Sequence, residues 1–142
     1  MKRKTMKRKI LILGCVTLML TACEKEGCTD QTSLNYDTEA QKDDGSCRYS
    51  SVSFYATRHT WNGIPVQKIE VTVEGRTGTV TSAYPAGLSS CSNHGTFAHS
   101  LTSSRNVGWT AISTLASGDL IYSQGSVVPD SHRDCIPVNV TQ

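Results

Sequence analysis

Two short motifs combine cysteine with histidine at a spacing suited to metal binding. Cys91 and His94 are separated by two residues, and His132 and Cys135 repeat the pair in reverse order. Two thiolates and two imidazoles form a common tetrahedral zinc site. In an exported chain, however, thiols oxidise, and a Cys91–Cys135 disulfide would stabilise the fold by about 4 kcal/mol. We therefore expect the disulfide, with both histidines exposed in loops and no metal, and zinc remains the alternative.

Other combinations of reactive residues are less suggestive. His94 and His99 are five positions apart, so on a regular strand they would point to opposite faces and would not share a metal. A serine hydrolase needs serine, histidine and an acid in contact, and the chain has no Gly-x-Ser-x-Gly motif. A glycosidase needs two carboxylates in a cleft, whereas Glu70 and Glu74 fall on an exposed strand face or in a turn. We predict no catalytic residues and no enzyme, with a small hydrolase as the least favoured alternative.

Aromatic side chains offer a possible platform for sugar binding. Five of them are considered: Tyr55, Trp61, Tyr84, Trp109 and Tyr122. Trp109 falls in an alternating segment that predicts a core position. Trp61 lies in Thr60-Trp61-Asn62-Gly63, a predicted loop, and is the candidate ligand contact. A glycan-binding module is therefore the second functional hypothesis.

The first 22 residues have the pattern of a signal peptide. Six of the first nine residues are basic, and an apolar run of eleven follows at 10–20. That run is too short to span a bilayer, but it suits the core of a leader sequence. Leu20-Thr21-Ala22-Cys23 resembles a bacterial lipobox, which implies cleavage before Cys23 and diacylation of its thiol. Cys15 comes too early in the apolar run, and the alternative is an ordinary secretory cleavage that releases a soluble protein.

Lipidation would determine where the protein resides. Two or three acyl chains hold a protein to a membrane durably, and residues 23–26 would form the anchor and tether. Glu24-Lys25-Glu26 resembles the acidic signals that send some Bacteroidota lipoproteins to the outer face of the outer membrane. We expect a Gram-negative outer-membrane lipoprotein at the cell surface, with the periplasmic face as the alternative.

Cleavage would also change the charge balance. Six of the 14 basic residues lie in the leader, so the mature chain would have eight basic against 12 acidic residues, a net charge of −4. A nucleic-acid partner calls for a basic patch, so we predict none. The membrane is the expected partner through the lipid, with a protein or a glycan as a further partner.

A short acidic segment at 27–47 is bracketed by Cys28 and Cys47. A disulfide between these two cysteines is expected in an exported chain and would stabilise the segment by about 3 kcal/mol. Asp43-Asp44-Gly45 predicts a turn. Calcium is a weaker alternative, because aligning the glycine of an EF-hand on Gly45 places Ala40 and Lys42 at ligand positions.

The same segment resembles a module of secreted and surface proteins in the Bacteroidota. Its pattern is GCTD-x-x-A-x-NY-x-x-x-A-x-x-DDGSC, and the chain departs from it at Ser33, where alanine is usual. The resemblance implies an exported protein of that lineage and implies no activity.

The remainder, 50–142, is rich in residues that favour strands and turns. Apolar and polar residues alternate in seven short segments, which predicts antiparallel strands with one wet face. These segments are 51–57, 67–74, 79–84, 95–101, 107–113, 120–128 and 136–140. The pattern predicts an all-β, roughly seven-stranded sandwich of one domain.

The order of features in this domain also resembles small immunoglobulin-like domains of Bacteroidota lipoproteins. The shared order includes a glycine turn at Glu74-Gly75, a loop cysteine at Cys91, an aromatic strand at Trp109 and a cysteine before the last strand at Cys135. The resemblance implies a fold and assigns no function. We expect a non-enzymatic surface lipoprotein with a structural or interaction role.

Overall fold

A computed structural model describes residues 24–103 and 105–141, so the predicted signal peptide and Cys23 lie outside the described residues. This part of the chain is all-β. No helix within it has the length and apolarity to cross a bilayer. The strands are β1 Glu26–Gly27, β2 Lys42–Asp43, β3 Ser51–Tyr55, β4 Thr60–Trp61, β5 Ile64–Val73, β6 Arg76–Val80, β7 Phe97–Ser100, β8 Val107–Leu115, β9 Leu120–Val127 and β10 Cys135–Asn139.

The larger sheet is built around β5. The strands β4 and β6 pair along one side of β5, β8 pairs along the other, and β9 follows β8, all antiparallel. The turns Asn62-Gly63 and Glu74-Gly75 connect β5 to its two hairpin partners, and all four residues have positive φ. Two-residue turns of this kind match the twist of the strands that they join. The turn predicted at Glu74-Gly75 is thus confirmed, and β4 is a short strand that the sequence did not indicate.

The smaller sheet has β3 between β10 and β7. The β3–β7 pair is antiparallel, whereas β3 and β10 run parallel, with Val52 beside Ile136 and Phe54 beside Val138. The expectation of purely antiparallel sheets is therefore wrong for this pair. An alternating pattern fixes which face a residue occupies and does not fix the direction of the neighbouring strand.

The inner faces of the two sheets form the hydrophobic core. Phe54 from the smaller sheet meets the Trp109 ring edge-on, with ring centroids 5.6 Å apart. The alternation predicted for β3, β5 and β8 is confirmed, because its inward residues are buried. They include Val52 and Phe54 of β3 and Ala56 just after it, Ile69, Val71 and Val73 of β5, and Val107, Trp109 and Ala111 of β8.

A loop at 81–96 lies on the outer side of the smaller sheet, over β3. The Tyr84 amide donates to the Ala56 carbonyl at 2.7 Å, and Cys91 is bonded to Cys135 at the start of β10. Ser53, predicted on a wet face, is fully buried, and its hydroxyl has no hydrogen-bond partner. The outer side of the smaller sheet is therefore covered at β3, whereas Ala98, Ser100 and Pro137 on the flanking strands are exposed. The larger sheet has an open outer side.

The acidic segment forms a compact unit against the sandwich. Its β1 and β2 pair in parallel, and Cys28 is bonded to Cys47. Cys28 and Ser33 are buried with sulfur and hydroxyl 2.8 Å apart. The Tyr49 hydroxyl donates to Asp30 at 2.9 Å and so joins the segment to the chain that leads into β3.

Candidate functional site

The two cysteine and histidine motifs are joined by a disulfide between their cysteines. Cys91 and Cys135 are bonded, so neither sulfur is a thiolate available to zinc. The His132 side chain is 90% exposed, with Nδ1 3.4 Å from Asp130. The His94 residue is exposed, and its carbonyl accepts a hydrogen bond from the Tyr84 hydroxyl. Among the described residues, no group of three or more potential metal ligands occurs.

Glu74 and His99 form a contact that the sequence did not predict. His99 Nε2 lies 2.8 Å from Glu74 Oε2, and the Thr102 hydroxyl donates to Glu74 Oε1 at 2.8 Å. The Glu74 side chain, expected in an exposed turn, is only 18% exposed, and that of His99 is 13% exposed. The turn at Glu74 is exposed, as expected, but the carboxylate of Glu74 is screened by His99 of β7 and by Thr102, which follows β7.

The charge of Glu74 is favoured by these neighbours. Burial raises the pKa of its carboxyl, but the hydrogen bonds from His99 and Thr102, with the charge of His99, lower the pKa below the ordinary value for glutamate. A histidine oriented by a carboxylate is half of a hydrolase triad. Here the nearby hydroxyl of Thr102 bonds the carboxylate. This arrangement joins the β5–β6 turn to the end of β7 and acts as a clamp between the two sheets.

The aromatic candidates differ sharply in accessibility. Trp109 is 8% exposed and belongs to the core, as predicted. Trp61 is only partly exposed in β4, and the Arg58 guanidinium lies over its ring at 5.2 Å from the centroid. Tyr122 on β9 is 71% exposed. The structure therefore presents Tyr122 as the more accessible aromatic contact.

Tyr122 lies on the open side of the larger sheet, which we call the outer face. Strand register places its residues in rows: Glu70, Ile112 and Tyr122 are cross-strand neighbours, and the next row is Thr72, Thr110 and Gln124. Leu120 lies beside Tyr122 on β9. Exposure is 36% for Ile112, 47% for Leu120 and 71% for Tyr122. Large apolar side chains that adjoin one another at a surface mark an interaction site more often than isolated ones.

A shallow depression adjoins this apolar group, and we call it the dish. Its volume is about 520 Å³. It exists because Gly108 has no side chain: a Cβ placed there would meet nothing within 4 Å. Its polar lining residues include Thr72, Thr110 and Gln124. Hydroxyl and amide groups beside an exposed phenol suit a polyhydroxylated ligand.

The sequence contains a signal for this site in the strand that became β9. Period-two alternation in 120–128 places Leu120, Tyr122 and Gln124 on one face, which the core residues of β8 identify as the outward face. On the neighbouring strand, Gly108 lies on the same outward face. The sequence did not show that a loop covers the smaller sheet, so it did not show which sheet stays open.

The carboxylates of the acidic segment are engaged within the segment. Asp43 and Asp44 accept backbone amides of Gly45 and Ser46 at 2.9 and 2.8 Å, which confirms the predicted turn. Lys25 lies 2.9 Å from Asp37 and 2.8 Å from Glu39. Calcium binding at 28–47 remains an alternative to an acidic segment that is only held by its disulfide.

Comparisons of the chain with protein-family models, with curated proteins and with solved structures found no match. The geometry of the outer face is therefore the basis for a functional argument.

Proposed function

We propose that the protein is a non-enzymatic, membrane-anchored interaction protein that uses the outer face to contact its partner. The observation that carries this proposal is the contrast between the two sheets. On the outer side of the smaller sheet a loop covers β3 and leaves Ala98, Ser100 and Pro137 exposed, whereas the larger sheet exposes the large side chains Ile112, Leu120 and Tyr122 as neighbours. Surface of this kind is costly to leave in water, so its retention favours a binding role.

Photo-crosslinking in the producing cells tests the binding role. A photoreactive phenylalanine analogue replaces Tyr122, and the matched control carries the same analogue at Arg58, an exposed position outside the outer face. We expect protein adducts at position 122 and few or none at position 58. Equal yields at the two positions, or none at either, would refute the proposed interaction face.

The anchor belongs to the same proposal. We propose a signal peptide at 1–22, acylation of Cys23 and location in the outer membrane of a Gram-negative bacterium. Two disulfides in the described part favour an oxidising compartment. Labelling with an alkyne fatty acid should mark the wild type and not Cys23→Ala. Protease added to intact cells should then degrade the chain if it faces outward, and protection would place it on the periplasmic side.

For the fold, we propose an immunoglobulin-like arrangement of the 50–142 domain. Two facing sheets with a buried Trp109 support it. An experimental structure in which the two sheets did not face each other around Trp109 would contradict the proposal.

Glycan binding is the second candidate function, and the dish beside Tyr122 favours it. Aromatic rings stack on the apolar face of sugars, while hydroxyls and amides bond their polar edges. We expect a glycan array to give signals that Tyr122→Ala abolishes and Trp61→Ala retains. If only Trp61→Ala abolished the array signals, Trp61 would be the glycan contact instead of Tyr122. If the wild type gave no signal, glycan binding would be ruled out.

A further inference from the structure

We propose that the chain forms a symmetric dimer in which β9 pairs antiparallel with β9 of a second copy. The inference deepens the proposed function, because it names the partner of the β9 side of the outer face, and it rests on that function. It begins with the edges of the two sheets. A free strand edge exposes unpaired amides and carbonyls and is a template for another strand, so natural proteins usually protect such edges.

One side of the sandwich is closed between β6 and β7. The amides of Thr81 and Ser82, which follow β6, donate to the Gly95 carbonyl before β7 at 2.8 and 3.2 Å. Gly78 of β6 lies directly against the Phe97 ring, since a Cβ on it would come within 2.0 Å of a ring carbon. On the opposite side, β9 and β10 are the terminal strands of their sheets.

These two strands differ in how they are protected. The five-residue β10 has Pro137 at its centre, which provides no N–H and interrupts any added ladder. The eight residues of β9 include no proline and no charged residue. Within the described chain, β9 is therefore the long terminal strand that lacks the usual protection, and Leu120 and Tyr122 are among its exposed side chains.

The β8–β9 turn determines which β9 groups point outward. The Gly118 amide donates to the Leu115 carbonyl at 2.9 Å, and the Leu115 amide donates to the Asp119 carbonyl at 2.9 Å. Hydrogen-bonded positions alternate along an antiparallel pair. By that alternation, Leu120, Tyr122, Gln124 and Ser126 direct their backbone groups away from β8, toward the free edge.

A second copy fits this edge. Related by a two-fold axis, Tyr122 lies opposite Gln124 of the second copy, and Leu120 lies opposite its Ser126. No like charges face each other in that register, and the outer faces of the two larger sheets become continuous, with Leu120 and Tyr122 at the junction. The added strand would also cover the cleft of about 450 Å³ between β9 and β10. A single strand pair buries a small area, so the dimer is expected to be weak and concentration-dependent.

Charge substitutions test this register. Tyr122→Lys combined with Gln124→Lys places lysine opposite lysine twice, whereas Tyr122→Lys combined with Gln124→Glu places lysine opposite glutamate twice. Thr79→Lys is the control, because it adds a lysine to the exposed part of β6 away from β9. Sedimentation velocity is measured on the full chain as processed in cells, in density-matched detergent, and thermal unfolding checks that each variant folds.

We expect the wild type, Thr79→Lys and the lysine–glutamate variant to shift from one toward two protomers as concentration rises. The double-lysine variant should stay monomeric over the same range. A monomeric wild type, or a double-lysine variant that dimerises like the wild type, would overturn the dimer. If the wild type is monomeric while position 122 still crosslinks to another protein, the dimer fails and the proposed function stands; if neither occurs, both fail.

Discussion

Glu74 is held in a backbone conformation that a glutamate rarely adopts. Its φ is 45°, at the first position of a turn that favours glycine or asparagine. A strained residue persists when its surroundings fix it, and here His99 and Thr102 both bond its carboxylate. Their positions in the chain, 25 and 28 residues away, explain why the sequence predicted the turn and not the clamp.

The clamp predicts a cost for removing the charge of Glu74. Glu74→Gln keeps the chain length but weakens the two charge-assisted hydrogen bonds, so we expect a loss of about 1–2 kcal/mol in the free energy of unfolding. Glu70→Gln is the control, because the Glu70 side chain is 41% exposed and pairs with Lys68 at the surface. It should change stability by less than about 0.5 kcal/mol. Urea unfolding at neutral pH measures both, and equal effects would show that the clamp contributes little.

The lowered pKa of Glu74 predicts a pH dependence of stability. Because the pKa is lower in the folded than in the unfolded chain, the charged carboxylate stabilises the fold above its unfolded pKa. That contribution disappears as the pH falls through the folded pKa. The stability difference between wild type and Glu74→Gln should therefore shrink from about pH 5 downward. Comparing the two proteins cancels the shared effects of Asp37, Asp44 and Asp130, whose pKa values are also lowered. A difference independent of pH would contradict this assignment.

At the scale of the strands, the sequence predicted most of what is local. Alternation located six of the seven longer strands and their inward residues, since side chains on a strand alternate between faces. The bounds expected for the remaining strand, 79–84, were wrong, because β6 spans Arg76–Val80 and overlaps them only at 79–80. Alternation also placed the start of β5 too late, at 67 instead of Ile64, because Pro65 and partly exposed residues hide the pattern there. The parallel β3–β10 pair joins strands more than 80 residues apart, and no local feature encodes that pairing.

Glycine positions in the strands give a prediction about packing. Gly125 lies beside Trp109, and a Cβ at Gly125 would come within 2.8 Å of the indole ring. Gly125→Ala should therefore destabilise the fold by about 1–3 kcal/mol, because the ring must shift in a packed core. Gly108→Ala, on the neighbouring strand, has open space and should be neutral or slightly stabilising.

Thermal and urea unfolding compare the two glycine variants. The prediction fails if Gly125→Ala is as stable as Gly108→Ala. Gly108→Ala also tests ligand binding, because its methyl group would enter the dish. It should lower the affinity for any glycan that binds there without lowering the free energy of unfolding.

For the whole molecule, the sandwich is asymmetric because of one crosslink. The Cys91–Cys135 bond fastens the 81–96 loop over β3 of the smaller sheet, where Ser53 is fully buried. The outer face of the larger sheet is left as the accessible surface. The sequence predicted the disulfide from the expected compartment, but the position of the loop also depends on the hydrogen bond from the Tyr84 amide to the Ala56 carbonyl, which no local pattern shows.

The two disulfides should therefore contribute to stability in different places. Replacing Cys91 and Cys135 with alanine frees the covering loop, so we expect the sandwich to lose about 3–4 kcal/mol and amides of β3 to exchange faster with deuterium. Replacing Cys28 and Cys47 should loosen the acidic segment and leave β3 and β8 protected, since the Tyr49–Asp30 hydrogen bond is a limited connection between the two parts. Hydrogen–deuterium exchange read by mass spectrometry separates the outcomes. Equal loss of protection in β8 for both double variants would contradict this expectation. It would mean that the acidic segment and the sandwich unfold as one cooperative unit.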